Sequence, residues 1–281
     1  MGTTNIGVVK ELYRYPVKSM LGESVDELAI GPGGALGDRA WALRETAGGR
    51  IVSAKKIARL FEYRSRYDRA PIANGDAPVT IILPDGRTLH PDDADAATVL
   101  STALGFDVTL ERAVAGRHSR AMIDPDTIFG DVAIEEVMPG LTRATMPDSF
   151  ALLRGSFFDS ATIHVLTTGT IAHLRRLAGD DAQADARRFR PNIVVHTAPE
   201  ATGFVEDGWL GKTLEAGAEV TIVAMQPALR CVMTTHRQDG LPRDLRILRA
   251  AAQHHRATLG VFAAIGAPGI VRVGDPVRLA D

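Results

Sequence analysis

The chain carries eleven short runs of alternating or β-branched apolar residues separated by turn residues, and this pattern constrains its fold more than any other feature. Such runs are typical of β-strands. They predict strands over residues 6–12, 25–30, 39–43, 79–83, 108–110, 162–166, 193–196, 220–225, 259–265, 270–273 and 277–279. Residues 79–83 and 87–89 form a predicted hairpin, because Asp85 and Gly86 supply the turn between them.

Helical signals are fewer. Helices are predicted over residues 94–104, 171–178 and 243–255. Gly105 and Gly179 follow the first two, where glycine commonly ends a helix. Thr168 can cap the second helix, and Pro242 can open the third. Because strands do not alternate regularly with helices, the pattern disfavours a doubly wound parallel sheet, and we predict a mainly β, α+β fold with a few helices.

Residues 113–131 separate two β-rich regions. The stretch has no periodicity and includes Gly116, Pro125 and Gly130, which favour a connecting segment. No internal repeat or low-complexity tract occurs in the chain. We therefore predict two domains, residues 1–115 and residues 116–281.

The composition is that of a globular protein, since 45% of the 281 residues are apolar and the net charge is −2. A nearly balanced charge gives no basis for binding nucleic acid or a membrane surface, although local arginine clusters can bind a small anion. No apolar core of signal-peptide length begins the sequence, and no run approaches about 20 apolar residues. We expect a soluble, cytoplasmic protein whose partner is small and negatively charged.

Cys231 is the single cysteine of the chain, and Arg230 precedes it directly. One thiol forms neither a disulfide within the chain nor a cysteine-rich metal site. Three roles remain open: buried packing, a lone nucleophile or sulfur carrier, and one soft ligand to a metal that a cofactor delivers. Arg230 would stabilise the thiolate if the segment is a loop or strand end, because adjacent side chains within a strand point to opposite faces.

Polar and cationic residues lie at four places where predicted strands begin or end. They are Lys18 with Ser19, Arg39, Thr167 with Thr168, and Arg190 with Asn192. Such donors suit a phosphate or an anionic ring system, and arginine offers a planar fork for two parallel hydrogen bonds. Thr167 and Thr168 lie between a strand and a helix start, where free backbone N–H groups attract anions. Together these residues predict a site for a small anion.

Each of these residues also has a purely structural interpretation. Lys18 can be a solvated charge, Arg39 can pair with Asp38, and Thr168 can be no more than a helix cap. The glycine-rich run at residues 31–34 has neither the lysine of a phosphate loop nor the spacing of a dinucleotide fingerprint, so we interpret it as a turn. The residue types alone leave both interpretations open.

At these motifs the chain resembles the MOSC proteins, named after the C-terminal domain of molybdenum cofactor sulfurase. The first region resembles the N-terminal β-barrel that accompanies many members. This resemblance rests on Tyr15-Pro16-Val17-Lys18-Ser19 and Gly37-Asp38-Arg39-Ala40-Trp41. The second region resembles the MOSC domain itself. This resemblance rests on Arg188-Phe189-Arg190-Pro191-Asn192, Arg230-Cys231-Val232-Met233-Thr234-Thr235 and Val273-Gly274-Asp275-Pro276-Val277. The resemblance spans nearly the whole chain.

The resemblance implies a β-barrel MOSC domain and a smaller N-terminal β-rich domain that bind molybdenum cofactor (Mo-molybdopterin), a pterin dithiolene with a terminal phosphate. Cys231 matches the family cysteine that supplies a thiolate to molybdenum, which makes it both the catalytic and the metal-binding residue. The predicted cofactor-binding residues are Lys18, Ser19, Arg39, Thr167, Thr168, Arg190, Asn192 and Arg230. Soft sulfur suits a dithiolene-bound metal, and cationic forks suit a phosphorylated pterin.

The chain is similar in particular to the amidoxime-reducing members, which implies a molybdenum-dependent oxidoreductase that cleaves an N–O or similar bond in a small substrate. A single cysteine cannot hold an iron–sulfur cluster, so we expect electrons from a separate donor protein. The alternative is a sulfur (persulfide) or molybdenum cofactor carrier that uses Cys231, because Arg230 would maintain a thiolate in that role as well. A third interpretation is a β-barrel binding protein with a buried thiol.

Overall fold

The structure is a computed structural model that describes residues 2–72, 77–114, 116, 117, 119–122, 128–130, 132–138, 142, 144–146 and 149–280. Its strands are β1 (Thr3–Arg14), β2 (Glu23–Val25), β3 (Glu27–Gly31), β4 (Gly34–Ala35), β5 (Trp41–Glu45), β6 (Arg64–Tyr67), β7 (Val79–Ile82), β8 (Thr88–Leu89), β9 (Val108–Arg112), β10 (Arg120–Met122), β11 (Ser149–Ala151), β12 (Ile163–Thr167), β13 (Ile193–His196), β14 (Thr213–Ala216), β15 (Val220–Leu229), β16 (Thr258–Ala267), β17 (Gly269–Arg272) and β18 (Pro276–Ala280). Its helices are α1 (Ala96–Leu104), α2 (Ile134–Val137), α3 (Thr168–Ala178) and α4 (Arg246–His255).

Seven strands close into a barrel in the order β13, β12, β16, β15, β14, β18 and β1, and the pairing of β1 with β13 completes the ring. Neighbouring strands are antiparallel except β12 and β13, which run parallel. The barrel core is built from buried β-branched and other apolar side chains such as Val9, Leu12, Ile193, Val195 and Ile222. Closure leaves no strand edge exposed along this ring.

Strand β1 fits between β13 and β18 because residue 7 is a glycine. The φ angle of Gly7 is 153°, and a Cβ atom there would lie 2.2 Å from the carbonyl oxygen of His196 on β13. The register between β1 and β18 shifts at this point, between Asn5 and Gly7. Glycine therefore permits the close approach of the two backbones that closes the barrel.

Smaller sheets lie beside the barrel. They are β6-β7-β8, β5-β9, β10-β11 and β4-β3-β17. A second apolar core packs α1 against β7 and a short 3-10 helix over Ala58–Glu62, with Leu60, Ile81 and Leu100 fully buried. This second core supports the loops that carry the first half of the functional site.

The predicted mainly β fold with a β-barrel and a smaller β-rich part is confirmed. The hairpin is present as β7 and β8. Helix α1 ends at Gly105 in the left-handed conformation. Helix α3 is capped by Thr167 rather than Thr168, because the Thr167 side chain accepts a hydrogen bond from the backbone N–H of Thr170. Helix α4 begins at Arg246, not at residue 243.

The predicted division into residues 1–115 and 116–281 stays a prediction, and residue 115 itself lies outside the described residues. The two parts share strands: β1 completes the barrel formed by β12 to β16 and β18, and β3 pairs with β17. Within the described part of the chain, none of the helices has the length and apolar character needed to cross a membrane.

Candidate functional site

A cavity of about 320 Å³ lies where loops from the first part of the chain meet loops at the barrel. This size falls within the range of small-molecule sites, roughly 300–1,000 Å³. Six of the nine predicted site residues line it: Lys18, Ser19, Arg39, Arg190, Arg230 and Cys231. Residues about 200 positions apart in the sequence therefore share one site.

Strand ends position these six residues, as the sequence indicates. Lys18 and Ser19 lie in the turn after β1, and Arg39 lies just before β5. Arg190 ends a short 3-10 helix over Ala186–Phe189 that precedes β13. Loops at strand ends can aim several side chains at one point because the barrel holds the strand positions fixed.

Cys231 follows the end of β15 and begins a 3-10 helix over Val232–Thr235. The strand ends at Leu229, so Arg230 and Cys231 are free of the alternation that would separate them within a strand. Cys231 is half-buried, and it lines the cavity together with Arg190 and Lys18. Its sulfur is therefore not in a sealed apolar interior, which disfavours the interpretation of Cys231 as packing alone.

Arg230 is held by backbone carbonyls. Its Nε donates to the oxygen of Ala228 at 2.9 Å, and its Nη1 donates to the oxygen of Phe189 at 2.9 Å. Burial lowers the pKa of the guanidinium to about 10, although the neighbouring Cys231 opposes that shift. A buried cation held by neutral acceptors keeps its positive charge available to an anion in the cavity.

Arg190 presents a hydrogen-bond donor without a partner. Its Nη1 donates to the Met20 oxygen at 2.6 Å, and its guanidinium lies over the Tyr15 ring at 4.1 Å. Its Nη2 is buried and has no hydrogen-bond partner among the described residues. Burial, and then the charge of Arg39, lower the pKa of Arg190 to about 10. Because buried donors are rarely left unpaired, this atom indicates a ligand.

Arg39 links the two halves of the cavity. Its Nη1 forms an ion pair with Asp38, and its Nη2 donates to the Arg190 backbone oxygen at 3.2 Å. Asp38 in turn accepts a hydrogen bond of 2.9 Å from the backbone N–H of Tyr15. Arg39 thus fixes the loop of Arg190 against the turn after β1.

Sequence reasoning missed Lys55 and Asp159, which complete the cationic side. Lys18 Nζ donates to the Phe157 oxygen at 2.8 Å and pairs with Asp159, whose second oxygen lies 2.8 Å from Lys55 Nζ. Burial would raise the pKa of Asp159, but the two lysines hold it well below its usual range. Burial lowers the pKa of Lys18 despite Asp159, whereas Asp159 and Cys231 outweigh burial and raise the pKa of Lys55.

The lining carries excess positive charge. Its cationic residues are Lys18, Arg39, Lys55, Arg188, Arg190 and Arg230, and its carboxylate among the described residues is Asp159. Arg188 is internally satisfied, because it donates to four backbone carbonyls, including those of Thr234 and His236. It therefore supports the 3-10 helix after Cys231, while the other cations face the cavity with only partial compensation.

Thr167 and Thr168 lie away from the cavity, and an internal carboxylate already occupies the helix N-terminus beside them. Glu206 accepts a hydrogen bond of 2.5 Å from the backbone N–H of Thr167 and another from the Thr170 hydroxyl. Thr168 contacts His196 at 3.2 Å. The N–H groups of Thr167 and Thr170 at this helix start are thus bound within the chain. The predicted role of both threonines in cofactor binding stays a prediction without support from the cavity.

Asn192 is likewise absent from the cavity lining. Its Oδ1 accepts a hydrogen bond of 3.1 Å from the His164 backbone N–H, and its Nδ2 donates to the Tyr13 oxygen at 3.3 Å. Asn192 therefore ties β13 to β12 and β1, and its predicted contact with a cofactor also stays a prediction.

The cavity can hold an anionic small molecule that carries a soft metal. Thiolate sulfur is a soft ligand, the unpaired Arg190 Nη2 is a donor for an oxygen or ring nitrogen, and the surplus of cations suits phosphate. Aromatic and aliphatic side chains form most of the remaining lining, beside Ser53, Ser160, His164 and Thr234. The residues present therefore fit a phosphorylated pterin dithiolene.

Family models match most of the chain. The model of the MOSC N-terminal β-barrel domain matches residues 6–116, and the model of the MOSC domain matches residues 153–278. Lys18, Ser19 and Arg39 fall within the first match, and Arg190, Arg230 and Cys231 fall within the second. The cavity therefore lies between the two matched regions.

Individual proteins are more distant. The chain is 26% identical over 258 residues to the molybdenum cofactor sulfurase of Oryza sativa subsp. japonica, a match that covers 82% of the chain but only 28% of that protein. Among solved structures, the YUAD protein of Bacillus subtilis is 11% identical with a TM-score of 0.47, over 99% of this chain and 97% of that one. The YiiM protein of Escherichia coli is 16% identical with a TM-score of 0.30, over 43% and 55%. Neither structural score reaches 0.5.

Proposed function

Since the chain belongs to the MOSC proteins, with a MOSC N-terminal β-barrel domain before the MOSC domain, we propose that it binds molybdenum cofactor and acts as a molybdenum-dependent oxidoreductase. One observation carries the proposal: Cys231 lines the same cationic cavity as Arg190, whose Nη2 is buried without a hydrogen-bond partner among the described residues. A soft ligand beside a buried, unsatisfied guanidinium donor suits this cofactor better than a simple phosphate or a free metal ion.

Each cavity residue has a definite task in this proposal. The Cys231 thiolate is the protein ligand to molybdenum, and Arg190, Arg39, Lys18 and Ser19 hold the anionic pterin and its phosphate. When bound, the cofactor supplies the two-electron redox chemistry. Arg230 and Lys55 place positive charge near Cys231, where an anionic ligand would bind. The ion pairs of Lys55 and Lys18 with Asp159 fix the position of both ammonium groups.

The proposed reaction is the reduction of an N-oxygenated small molecule. The N–O bond breaks, the nitrogen is reduced by two electrons and takes up protons, and the oxygen leaves as water. The electrons come from a separate donor protein, and the protons come from solvent.

A sulfur or cofactor carrier is the competing proposal. The relative from Oryza sativa is a molybdenum cofactor sulfurase, and a half-buried Cys231 beside two cations could equally hold a persulfide. The chain spans about 28% of that relative, so the activity of the whole relative is not carried over. The two proposals differ in what remains bound to Cys231.

The test is the content of the protein after expression in a host that makes molybdenum cofactor. We expect molybdenum and pterin at close to one per chain, and reduction of a hydroxylamine or amidoxime with reduced methyl viologen as the donor. Cys231→Ser should keep its thermal unfolding profile and lose turnover, because removing one partly exposed sulfur leaves the barrel core intact.

The outcomes separate the proposals. A labile extra sulfur on Cys231, seen by mass spectrometry in protein without molybdenum, would favour the carrier. Molybdenum-loaded protein that reduces nothing in a broad panel of N-oxides and sulfoxides would remove the reductase. Unchanged metal content and turnover in Cys231→Ser would reduce Cys231 to a packing residue.

A further inference from the structure

The cavity has two chemically different sides. The cationic side comes from residues within the two family matches. Other lining residues lie in the sequence between the two matches, within residues 117–152, and belong to neither. The described lining residues of that segment are Ile128, Phe129, Met138, Met146 and Phe150. Every one of these described lining residues is apolar and has no side-chain charge to offer a bound molecule.

Residues of the barrel and of the segment before it extend this apolar surface. Phe157, Phe158, Leu229, Met233 and Phe262 also line the cavity. We call these five residues and the five of the previous paragraph the apolar wall. Six of the nine phenylalanines of the chain line the cavity when Phe189 is included, which is a high aromatic density for a chain with 5% aromatic residues. Aromatic side chains bury large apolar areas against a ligand.

The apolar wall is anchored beside the proposed metal ligand. The Ile128 backbone oxygen accepts a hydrogen bond of 2.8 Å from the N–H of Val232, the residue after Cys231. Phe129 is 2% exposed and packs with Leu248 and Ala252 of α4 in a small separate core. The wall therefore has a defined position relative to the Cys231 sulfur.

The wall meets the cationic side through aromatic faces. The Arg39 guanidinium lies 4.0 Å from the Phe158 ring, the Arg230 guanidinium 5.3 Å from Phe262, and the Lys55 ammonium 5.1 Å from Phe150. Such contacts stabilise the cations without consuming their hydrogen-bond donors. The charged side thus stays available for the cofactor, and the wall is left to contact the molecule that reacts.

Two wall residues mark the mouth of the cavity. Met138 is 37% exposed and Leu229 is 39% exposed, although both line the cavity. Other aromatic residues of the lining are much more deeply buried: Phe157 is fully buried and Phe262 is 7% exposed. The solvent-exposed part of the apolar wall is therefore itself apolar, and a flexible methionine there can adapt to ligands of different shapes.

We propose that the apolar wall selects substrates whose N-oxygenated group is carried on an aromatic or extended aliphatic body, over compact polar N-oxygenated compounds. The inference rests on the proposed function for the identity of the reacting group. The bond change is the one already given, with cleavage of N–O, reduction of nitrogen and release of water. A polar substrate would leave the wall without a partner and gain nothing from its burial.

The test uses two substrates with the same reacting group, benzamidoxime and acetamidoxime, with cofactor-loaded protein and reduced methyl viologen. We expect kcat/KM to be at least about tenfold higher for benzamidoxime, because each added apolar carbon in such a pocket contributes discrimination. Leu229→Gln should lower that ratio by about tenfold, and Met138→Gln should act in the same direction. Met225→Gln is the matched control, because Met225 lies on the same strand as Leu229, is 61% exposed and is not part of the lining.

A second readout does not depend on turnover. Calorimetry on the oxidised protein, without electron donor, should show tighter binding of benzamidoxime than of acetamidoxime, and weaker binding in Leu229→Gln but not in Met225→Gln. Equal kcat/KM for both substrates, or an equal loss on both in Leu229→Gln, would overturn the selectivity and leave the reductase standing. Absence of turnover with intact, Leu229-dependent binding would overturn the reductase and leave the selectivity standing.

Discussion

At the scale of single residues, the cavity is lined by backbone that is held in an unfavourable conformation. Ser19, Arg39 and Arg190 have φ angles of 67°, 48° and 55°, and each is a non-glycine residue in the left-handed region. Such residues cost on the order of 1–3 kcal/mol each and persist only where the surroundings fix them. All three line the cavity, so the local backbone here serves the position of the side chains rather than stability.

Arg190→Lys tests whether the guanidinium fork is needed. Lysine keeps the charge but cannot donate to the Met20 oxygen and also offer a second planar donor, so we expect retention of the cofactor to fall at least about tenfold, as for loss of one charge-assisted hydrogen bond. Cofactor retention is measured as the molybdenum content per chain after gel filtration. Arg187→Lys is the control, because Arg187 pairs with Asp185 and Asp239 outside the cavity. Equal molybdenum content in Arg190→Lys and the unmodified protein would contradict the assigned role.

The sequence predicted the residues at strand ends and missed those that depend on long-range contact. Lys18, Arg39 and Arg190 could be identified because their motifs combine donors with a strand boundary. Lys55 and Asp159 could not, because a lysine in a loop and an aspartate 104 positions later give no local sign that they will form an ion pair. The carboxylate that binds the Thr167 N–H is equally hidden in the sequence, because it comes from Glu206, 39 positions later.

At the scale of secondary structure elements, Glu206 acts as an internal anion at the start of α3. The carboxylate is 2% exposed and binds the Thr167 N–H and the Thr170 hydroxyl. Burial raises the pKa of Glu206 above its ordinary value of 4.5, although these hydrogen bonds oppose the shift. The helix thus begins where an ionisable group is held in an environment that disfavours its charged form.

Glu206→Gln should therefore change the pH dependence of stability. In the folded protein the carboxyl releases its proton at a higher pH than in the unfolded chain, so its contribution is fully present below pH 4.5 and is lost as the pH rises through the folded value. Glutamine does not titrate. The free energy of unfolding of Glu206→Gln relative to the unmodified protein should accordingly be more favourable at pH 8 than at pH 5, as measured by urea denaturation.

The matched control is Glu200→Gln, which removes an exposed carboxylate from the preceding loop. Subtracting its effect leaves the part that depends on burial. A difference between the Glu206→Gln and unmodified proteins that grows in the opposite direction, with the variant relatively less stable at pH 8, would show that the carboxylate at the helix start is favourable in its charged form.

Elements with local signals were predicted well. Strands β7, β12 and β13 and the end of α1 agree with their sequence patterns to within a residue or two, because alternation and a left-handed glycine are features of the segment itself. The short strands β6 and β14 were missed, since four-residue runs containing arginine or glutamate show little alternation. No local pattern indicates that β1 closes the barrel, because its partners lie about 180 and 270 positions away.

At the scale of the whole molecule, the two predicted parts depend on each other. The cavity draws Lys18, Arg39 and Lys55 from the first part and Arg190 and Cys231 from the second. Contacts cross between them, such as the hydrogen bond from Arg39 to the Arg190 oxygen. A ligand bound to both sides would stabilise their association through its binding free energy.

Strand β1 also makes the two parts of the chain depend on each other, because it belongs to the first part and pairs with strands of the second. Its residues pair with Ile193 to His196 on β13 and with Pro276 to Ala280 on β18. A fragment of residues 116–280 would expose both of these edges, and exposed edges promote aggregation. We expect the fragment to be insoluble or to unfold without a cooperative transition, as measured by circular dichroism and gel filtration beside the full chain.

The pairing register also shows how β1 can be restored to the fragment. Thr3 lies opposite Ala280 in the antiparallel pair of β1 and β18, so a turn of a few glycine-rich residues can join Ala280 to Thr3 as a hairpin. Adding residues 3–14 in this way to the fragment should restore a cooperative thermal transition, because it returns both pairings of β1. Appending the same residues in scrambled order is the control.

The rescued barrel should not retain molybdenum cofactor, because Lys18, Ser19 and Arg39 are absent from it. If the unextended fragment already unfolds cooperatively as a monomer, β1 is dispensable for the barrel and the two parts are more independent than their shared strand indicates.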